Sequence, residues 1–373
     1  MLPGFATLEG TASYRDRFGQ LRAAQHFRRP EHVPGPHELW LSSIGLGTYL
    51  GEPDDATDAR YIAAITRALT AGINVLDTAI NYRHQRSERN IGTALAQLIA
   101  SGDLRRDEVF VCTKAGYLSF DGSMPADPRG YFQREYLEPG ILDAKDLAGG
   151  MHCIAPAYLE NQIERSCRNL DLETLDLFYL HNPESQLADV SPEVFRQRLK
   201  DAFTLLEKLV KSSRIRFYGM ATWNAFRVAP DARDSISLID AVDIAEEVAG
   251  EDHHFRFIQL PFNLGMPEAF SLANQSFDKK FISTLAAATR LRIAAIGSAT
   301  LHQGSLTHGL PEFVGKILGQ DNDAANAIQF SRSAPGLITS LIGMSRVAHV
   351  NANLQPALSL PADEKTWMKL FQQ

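Results

Sequence analysis

A chain of 373 residues, 45% of them hydrophobic, is long enough to bury a large core, and a formal net charge of −7 excludes a general nucleic-acid or anionic-membrane surface. No apolar run reaches the roughly 18 residues of a membrane span, and no charged segment followed by an apolar one marks a secretion signal. Cys112, Cys153 and Cys167 are odd in number and form no C-x-x-C pair, which points to reduced thiols and a cytoplasmic protein.

Residues 1–38 mix Gly, Pro, Arg and His without sustained periodicity and read as a partly irregular N-terminal extension, with 39–373 as a single domain. An apolar run over 41–46 opens that domain and leads into Gly45 and Gly47. Helical spacing covers 54–71, with Asp54 or Asp55 as a cap and Gly72 as a stop. A strand over 74–76, a helix over 87–100 and a strand over 108–113 follow. Residues 116–155 then interrupt the pattern with Gly, Pro, Asp and aromatics, far beyond the usual few-residue βα loop. This insertion is read as a lid or pocket wall at the active-site mouth. The alternation resumes with a helix over 158–170, a strand over 175–180 and a helix over 192–211. Strands over 216–221, 255–260, 292–297 and 336–342 alternate with helices over 237–249, 279–290, 323–332 and 346–354. An extra helix is expected over 362–371.

Short apolar strands alternating with amphipathic helices describe a parallel sheet covered by helices. Eight such units favour an α/β fold of the closed (β/α)8 TIM-barrel kind over an open doubly wound sheet. The position of the reactive residues points the same way. Asp77, Lys114 and His181 all stand at or just past C-terminal strand ends, where a barrel gathers its active site. Gly45, Gly47 and Gly51 do not make a dinucleotide fingerprint, because their spacing has one residue too many and no acidic residue closes a second strand about twenty residues on. They suit close approach of backbone to a ligand.

The chemistry centres on Asp77, Tyr82, Lys114 and His181. A phenol is a poor acid near neutrality, with a pKa of about 10. An ammonium about 4 Å away, at an effective dielectric of about 20, stabilises the phenolate by about 4 kcal/mol. Lys114 is therefore expected to make Tyr82 a proton donor, Asp77 to hold Lys114 charged, and His181 to hydrogen-bond a polarised carbonyl oxygen. His253 and His254 are adjacent, a spacing that does not suit a shared metal ion, and no metal site is expected.

The series Asp77-Thr-Ala-x-x-Tyr82, Ser87-Glu88, Thr113-Lys114 and Leu180-His181 resembles the aldo-keto reductases. Supporting motifs are Gly45-Leu-Gly47-Thr48, Ala221-Thr-Trp-Asn224, Gln259-Leu-Pro-Phe262-Asn263, and Gly343-Met-Ser345-Arg346 with Asn353. The resemblance implies a barrel that binds NADP(H) without a Rossmann domain and acts on a small carbonyl or sugar-like substrate. It implies that Tyr82 is the general acid, Lys114 and Asp77 its tuning pair, and His181 the orienter of the carbonyl. Gly47 and Thr48 would approach the cofactor, Gln259 would meet the nicotinamide carboxamide, and Phe262 would lie against its ring. Ser345 and Arg346 would take the 2′-phosphate, a task that suits the guanidinium fork, and Asn353 would face the adenine. This chain has Ala221-Thr222 where the family commonly has Ser-Asn, so Thr222 or Asn224 would supply the contact. Ser298, Leu301 and Gly304 remain of the family's Ser-Pro-Leu segment. Arg83 replaces a common Gly and reads either as a cation favouring an anionic substrate or as a partner of Glu88. A second class of function is a cofactor-binding sensor with little turnover. A third is a non-redox isomerase or lyase. Oligomeric state does not follow from the sequence.

Overall fold

The structure, a computed structural model, describes residues 1–29 and 38–372. Eight parallel strands close into a barrel: β1 (Ile44–Gly47), β2 (Val75–Asp77), β3 (Phe110–Ala115), β4 (Leu175–His181), β5 (Ile215–Ala221), β6 (Phe255–Pro261), β7 (Ala294–Ser298) and β8 (Leu337–Gly343). β8 returns to β1 with Ile342 opposite Leu46 and Gly343 opposite Gly47. Outside run α1 (Asp55–Ala71), α2 (Arg86–Ala100), α3 (Pro156–Leu170), α4 (Pro192–Lys211), α5 (Leu238–Ala249), α6 (Thr284–Arg290), α7 (Asp323–Arg332) and α8 (Val347–Leu354). The fold is thus the (β/α)8 barrel, with an N-terminal extension, a long insertion after β3 and an extra C-terminal helix, Glu364–Met368.

Strand side chains alternate between two cores, as a period of about two residues requires. Val75, Phe110, Cys112, Leu177, Tyr179, Phe257 and Ile296 fill the barrel interior. Leu76, Val111, Phe178, Leu180, Tyr218 and Ile258 point outward and pack in the core beneath the helices. The interior is full enough that Gly45 must be bare: a Cβ there would stand 2.7 Å from Leu341 Cδ2. Continuing the inward parity to the C-terminal ends delivers Asp77, Lys114, His181 and Gln259 to one mouth.

The extension closes the other end. Its helix Leu8–Asp16 is capped by Thr7, whose hydroxyl accepts from Gly10 N. The buried Tyr14 hydroxyl donates to Leu69 O at 2.5 Å, and Ala6 N donates to Asp176 Oδ1 at 2.6 Å. Strand Phe27–Arg28 pairs antiparallel with Leu41–Ser42. Arg28 also donates to Leu337 O at 2.8 Å and to Arg332 O, tying the extension to the end of α7 and the start of β8.

Four segments differ from the sequence reading. The apolar run over 41–46 is two elements, because Ser43 separates the floor strand Leu41–Ser42 from β1. The helix expected over 279–290 is instead a hairpin, Ala273–Phe277 with Lys280–Ser283, followed by a helix that starts only at Thr284, where Ser283 caps it. A helix at Glu312–Leu318 was not foreseen. The extension, which showed no sustained periodicity, carries two short helices, Leu8–Asp16 and Gly19–Ala23, packed on the barrel. Among the described residues, no helix is long and apolar enough to cross a membrane.

Candidate active site

At the C-terminal mouth, Lys114 Nζ donates to Asp77 Oδ2 at 2.6 Å and to Thr78 O at 2.8 Å. Gln259 Nε2 donates to the other carboxylate oxygen of Asp77 at 2.7 Å. Burial pushes the Asp77 carboxyl above its ordinary value, against the pull of Lys114 and Gln259. Burial alone would lower the Lys114 ammonium, but Asp77 and Tyr82 outweigh it and hold the group above its ordinary value. The pair stands ionised, because Thr78 O can only accept and Asp77 receives two donors.

Tyr82 reaches this pair through a tight turn after β2, fixed by Ile80 N donating to Lys114 O and Tyr82 N to Ala79 O. Its ring centroid lies 5.0 Å from Lys114 Nζ. The rings of Tyr49 and His181 meet it at 5.0 and 5.8 Å, both edge-on. Burial raises the Tyr82 phenol above its ordinary value, with Lys114 opposing the rise and Asp77 adding to it. The net direction is opposite to the acidification expected from Lys114 alone: desolvation outweighs one ammonium. His181 is neutral, since burial and then Lys114 depress it well below the ordinary histidine range.

The turn continues into Arg83, His84 and Gln85, three successive residues with φ of +48°, +55° and +71°. Such conformations cost non-glycine residues about 1–3 kcal/mol each unless the surroundings over-determine them. Arg83 does so here. It pairs with Asp58 at 2.6 Å, donates to Glu52 O at 2.9 Å and lies over the Tyr61 ring. It therefore neither faces the mouth nor pairs with Glu88, contrary to both readings of the sequence. Glu88 instead accepts from Thr113 at 2.6 Å and Asn169 at 2.8 Å.

A cavity of about 400 Å³ opens over these groups. Asp77, Tyr82, His181 and Gln259 form its base, with Lys114 directly behind Asp77. Gly47, Thr48, Thr222, Ser298, Leu301, Gly304, Gly343 and Asn353 line its walls. Thr48 is also structural, its hydroxyl donating to Asp77 O at 3.1 Å. Other sequence-selected residues lie elsewhere. Phe262 is fully buried in the outer core, stacked on Phe330 at 5.4 Å, because the chain turns outward after Pro261. Asn224 donates to Asp234 at 2.9 Å and is not a wall residue. Ser345 and Arg346 sit just beyond the cavity at the start of α8, with Arg346 exposed. No residue of the 116–155 insertion is among those lining this cavity.

The sequence reading missed Tyr49, Trp223 and His349, which line the same cavity. Tyr49 and Trp223 are 58% and 45% exposed, unusual for large aromatics and a mark of a ligand surface. Trp223 stands on a loop held by Glu184, whose Oε1 accepts from Trp223 N at 2.6 Å and Asn224 N at 3.1 Å. The hydroxyls of Thr222 and Thr300 and His181 Nδ1 are buried at this cavity without a protein partner. Such orphans are costly unless a ligand or water meets them. Among the described residues no group of three or more His, Cys, Asp or Glu could hold a metal ion.

A closed parallel barrel with a buried phenol, an ion pair and a neutral imidazole around one cleft at the C-terminal strand ends has the layout of a barrel active site. Residues 43–370 match the aldo/keto reductase family, and the chain belongs to that family. An uncharacterized oxidoreductase of Bacillus subtilis, YqkF, is 25% identical over 189 residues, 50% of this chain and 47% of that protein. The chain spans about half the length of the curated relatives it matches. Among solved structures, the holo form of aldo-keto reductase AKR11C1 from Bacillus halodurans superposes with a TM-score of 0.62 at 18% identity, covering 93% of this chain and 95% of that one. An aldo/keto reductase from Klebsiella pneumoniae in complex with NADP and acetate gives a TM-score of 0.58 at 19% identity, covering 90% and 92%.

Proposed function

We propose that the protein reduces an aldehyde or ketone to the alcohol with NADPH, or catalyses the reverse oxidation. The observation that carries this is the buried Lys114–Asp77 pair set behind Tyr82, with neutral His181 beside it, all at one cavity. Bound NADPH would supply the hydride to the carbonyl carbon. Tyr82 gives its proton to the carbonyl oxygen, and Lys114 stabilises the phenolate that remains. Asp77 keeps Lys114 charged and in place. His181 orients the carbonyl by a hydrogen bond.

The chain's own residues fit the cofactor. The orphaned hydroxyl of Thr222 and the Oε1 of Gln259, whose amide nitrogen is occupied by Asp77, suit a carboxamide. Gly47 and Gly343 face one another across β1 and β8. A Cβ built on Gly47 meets only backbone at 3.7 Å or more, so the room beside it is cavity. Arg346 and Asn353, with His349 on the same face of α8, suit an adenosine 2′-phosphate and its base. Asp77 is the only formally charged side chain lining the cavity among the described residues, and Lys114 neutralises it. A small uncharged carbonyl suits this lining, rather than the anion that Arg83 had suggested. The three cysteines are buried and free, in keeping with a reduced, cytoplasmic setting.

Tyr82→Phe tests the reading. NADPH binding, followed by its fluorescence, is expected to persist while carbonyl-dependent NADPH consumption falls by about 10²-fold or more. Normal turnover in that variant would remove Tyr82 from the mechanism. Nucleotide binding by the wild type without turnover of any carbonyl would move the reading to a cofactor sensor.

A further inference from the structure

The insertion leaves the barrel at Gly116, returns at Cys153, and its two ends pair. Cys153 N donates to Gly116 O at 2.7 Å, and Leu118 N donates to Met151 O at 2.8 Å. This pairing presses the buried His152 against the end of β4. Its Nε2 lies 2.7 Å from the backbone oxygen of His181, and its Nδ1 lies 2.7 Å from Gln186 Nε2.

Chemistry fixes the direction of every bond here. A carbonyl only accepts, so His152 Nε2 carries the proton. The Arg198 guanidinium only donates, and it meets Gln186 Oε1. The amide nitrogen of Gln186 must then face His152 and donate to Nδ1. The result is a one-way relay from α4 through Gln186 and His152 to the main chain of His181. A doubly protonated His152 would oppose two donors at Nδ1, in keeping with burial lowering its pKa to about 4.

The approach needs glycine at 116, where a Cβ would collide with His181 O and stand 2.7 Å from His152 Nε2. Tyr117 braces the same strand end. Its ring meets His152 at 5.0 Å and His181 at 5.3 Å, both edge-on. Its hydroxyl lies 3.1 Å from both Asn182 Nδ2 and Ser185 Oγ. Asn182 adopts φ +47°, turning the chain immediately after His181.

We propose that His152, braced by Tyr117, is a positioning residue for the reduction: it fixes the main chain of His181 and thereby the imidazole that meets the substrate oxygen. The insertion serves the chemistry from behind the cleft. The inference rests on the reading of His181 as the group that orients the carbonyl.

Full-length His152→Leu, His152→Gln, His181→Ala and the His152→Leu/His181→Ala double variant test it, each assayed with NADPH and a neutral aldehyde (benzaldehyde or glyceraldehyde) and by thermal unfolding. His152→Leu is expected to keep NADPH affinity while kcat falls about tenfold to a hundredfold, the scale of a small misplacement at a reacting centre. His152→Gln, which retains an N–H for His181 O, recovers most of that loss. Because His152 acts through His181, His152→Leu adds no loss in the His181→Ala background. Should His152→Leu fail to fold, Gln186→Leu carries the same comparison from outside the loop. An unaltered kcat in folded His152→Leu, with His181→Ala impaired, would overturn the inference, as would an undiminished loss on top of His181→Ala. Full activity in His181→Ala would instead overturn the reading of the site, and this inference with it.

Discussion

The barrel buries one ion pair at each end, and the two differ in what they leave open. At the floor, Asp176 accepts from Ala6 N at 2.6 Å, Arg106 at 2.7 Å and Val111 N at 2.9 Å. Arg106 also donates to Val109 O and Thr174 O, and neither Arg106 nor Asp176 lines the cavity beside Ala6 at the floor. At the mouth, Lys114 has three N–H groups and gives two of them to Asp77 and Thr78 O. Its Nζ also stands 5.0 Å from the centre of the Tyr82 ring. Charge type follows the same division. Arginine stays charged and forks to several acceptors, whereas lysine is a point charge whose pKa its neighbours can move. A buried pair is therefore no sign of function by itself. A pair whose carboxylate lines a cleft beside a phenol is.

The largest expected effect divides the two ends directly. Lys114→Met and Arg106→Met each strand a buried carboxylate, and each should cost about 3–5 kcal/mol of stability. Turnover should fall by about 10²-fold or more in Lys114→Met alone. Thermal unfolding and steady-state kinetics on both variants check this, and an equal loss of kcat in folded Arg106→Met would dissolve the distinction.

A smaller effect belongs to the rim of the mouth. Arg346→Ala should weaken NADPH about tenfold or more, the scale of a charged hydrogen bond of about 1.5–3 kcal/mol, and leave NADH nearly unaffected. Equal losses in titrations of the two cofactors would contradict the 2′-phosphate contact.

The smallest effect is a slope. Each end also buries a neutral histidine away from the cavity: burial, then Arg332, lowers His26 to about 3, and burial lowers His152 to about 4. An unfolded histidine titrates near about 6.5. Below that pH unfolding takes up a proton, so this stability is complete above about pH 6.5 and is lost as pH falls toward about 4 for His152 and about 3 for His26. Each group contributes at most about 1.4 kcal/mol per pH unit. His26→Asn and His152→Leu should both flatten the fall of Tm with pH, but only the second should alter kcat. Unchanged slopes in both variants would show that neither ring is buried neutral.

What the sequence made legible was whatever obeys a period. Asp77, Lys114 and His181 could be placed together because each closes an apolar run, and inward parity in parallel strands then brings them to one mouth. Residues beyond the strand ends obeyed no such rule. Phe262 lies one residue past Pro261, and nothing in its spacing says that its ring turns to Phe330 rather than to the cavity. Arg83 adopts a positive φ that its residue type does not announce. The missed hairpin turns at Asp278 and Lys279, with φ of +48° and +63°, where a glycine or asparagine would have given the signal. His152 lies 29 residues from His181 within an aperiodic segment, and only the folded insertion brings them together. For the extension a cue did exist, since Thr7 begins a capped helix, but that helix covers only nine residues.

The floor of the barrel has a consequence for how the molecule is made. Ala6 waits for Asp176, 170 positions later in the chain, and Arg28 waits for the carbonyl of Leu337, 309 positions later. This segment therefore finds its place only after partners 170 and 309 positions further along have been made. Contacts of such separation must overcome loop-closure entropy before they contribute anything, which slows folding. During synthesis the helix Leu8–Asp16 and its Tyr14 have no barrel to cover, so this segment stays exposed until the strands it closes have formed.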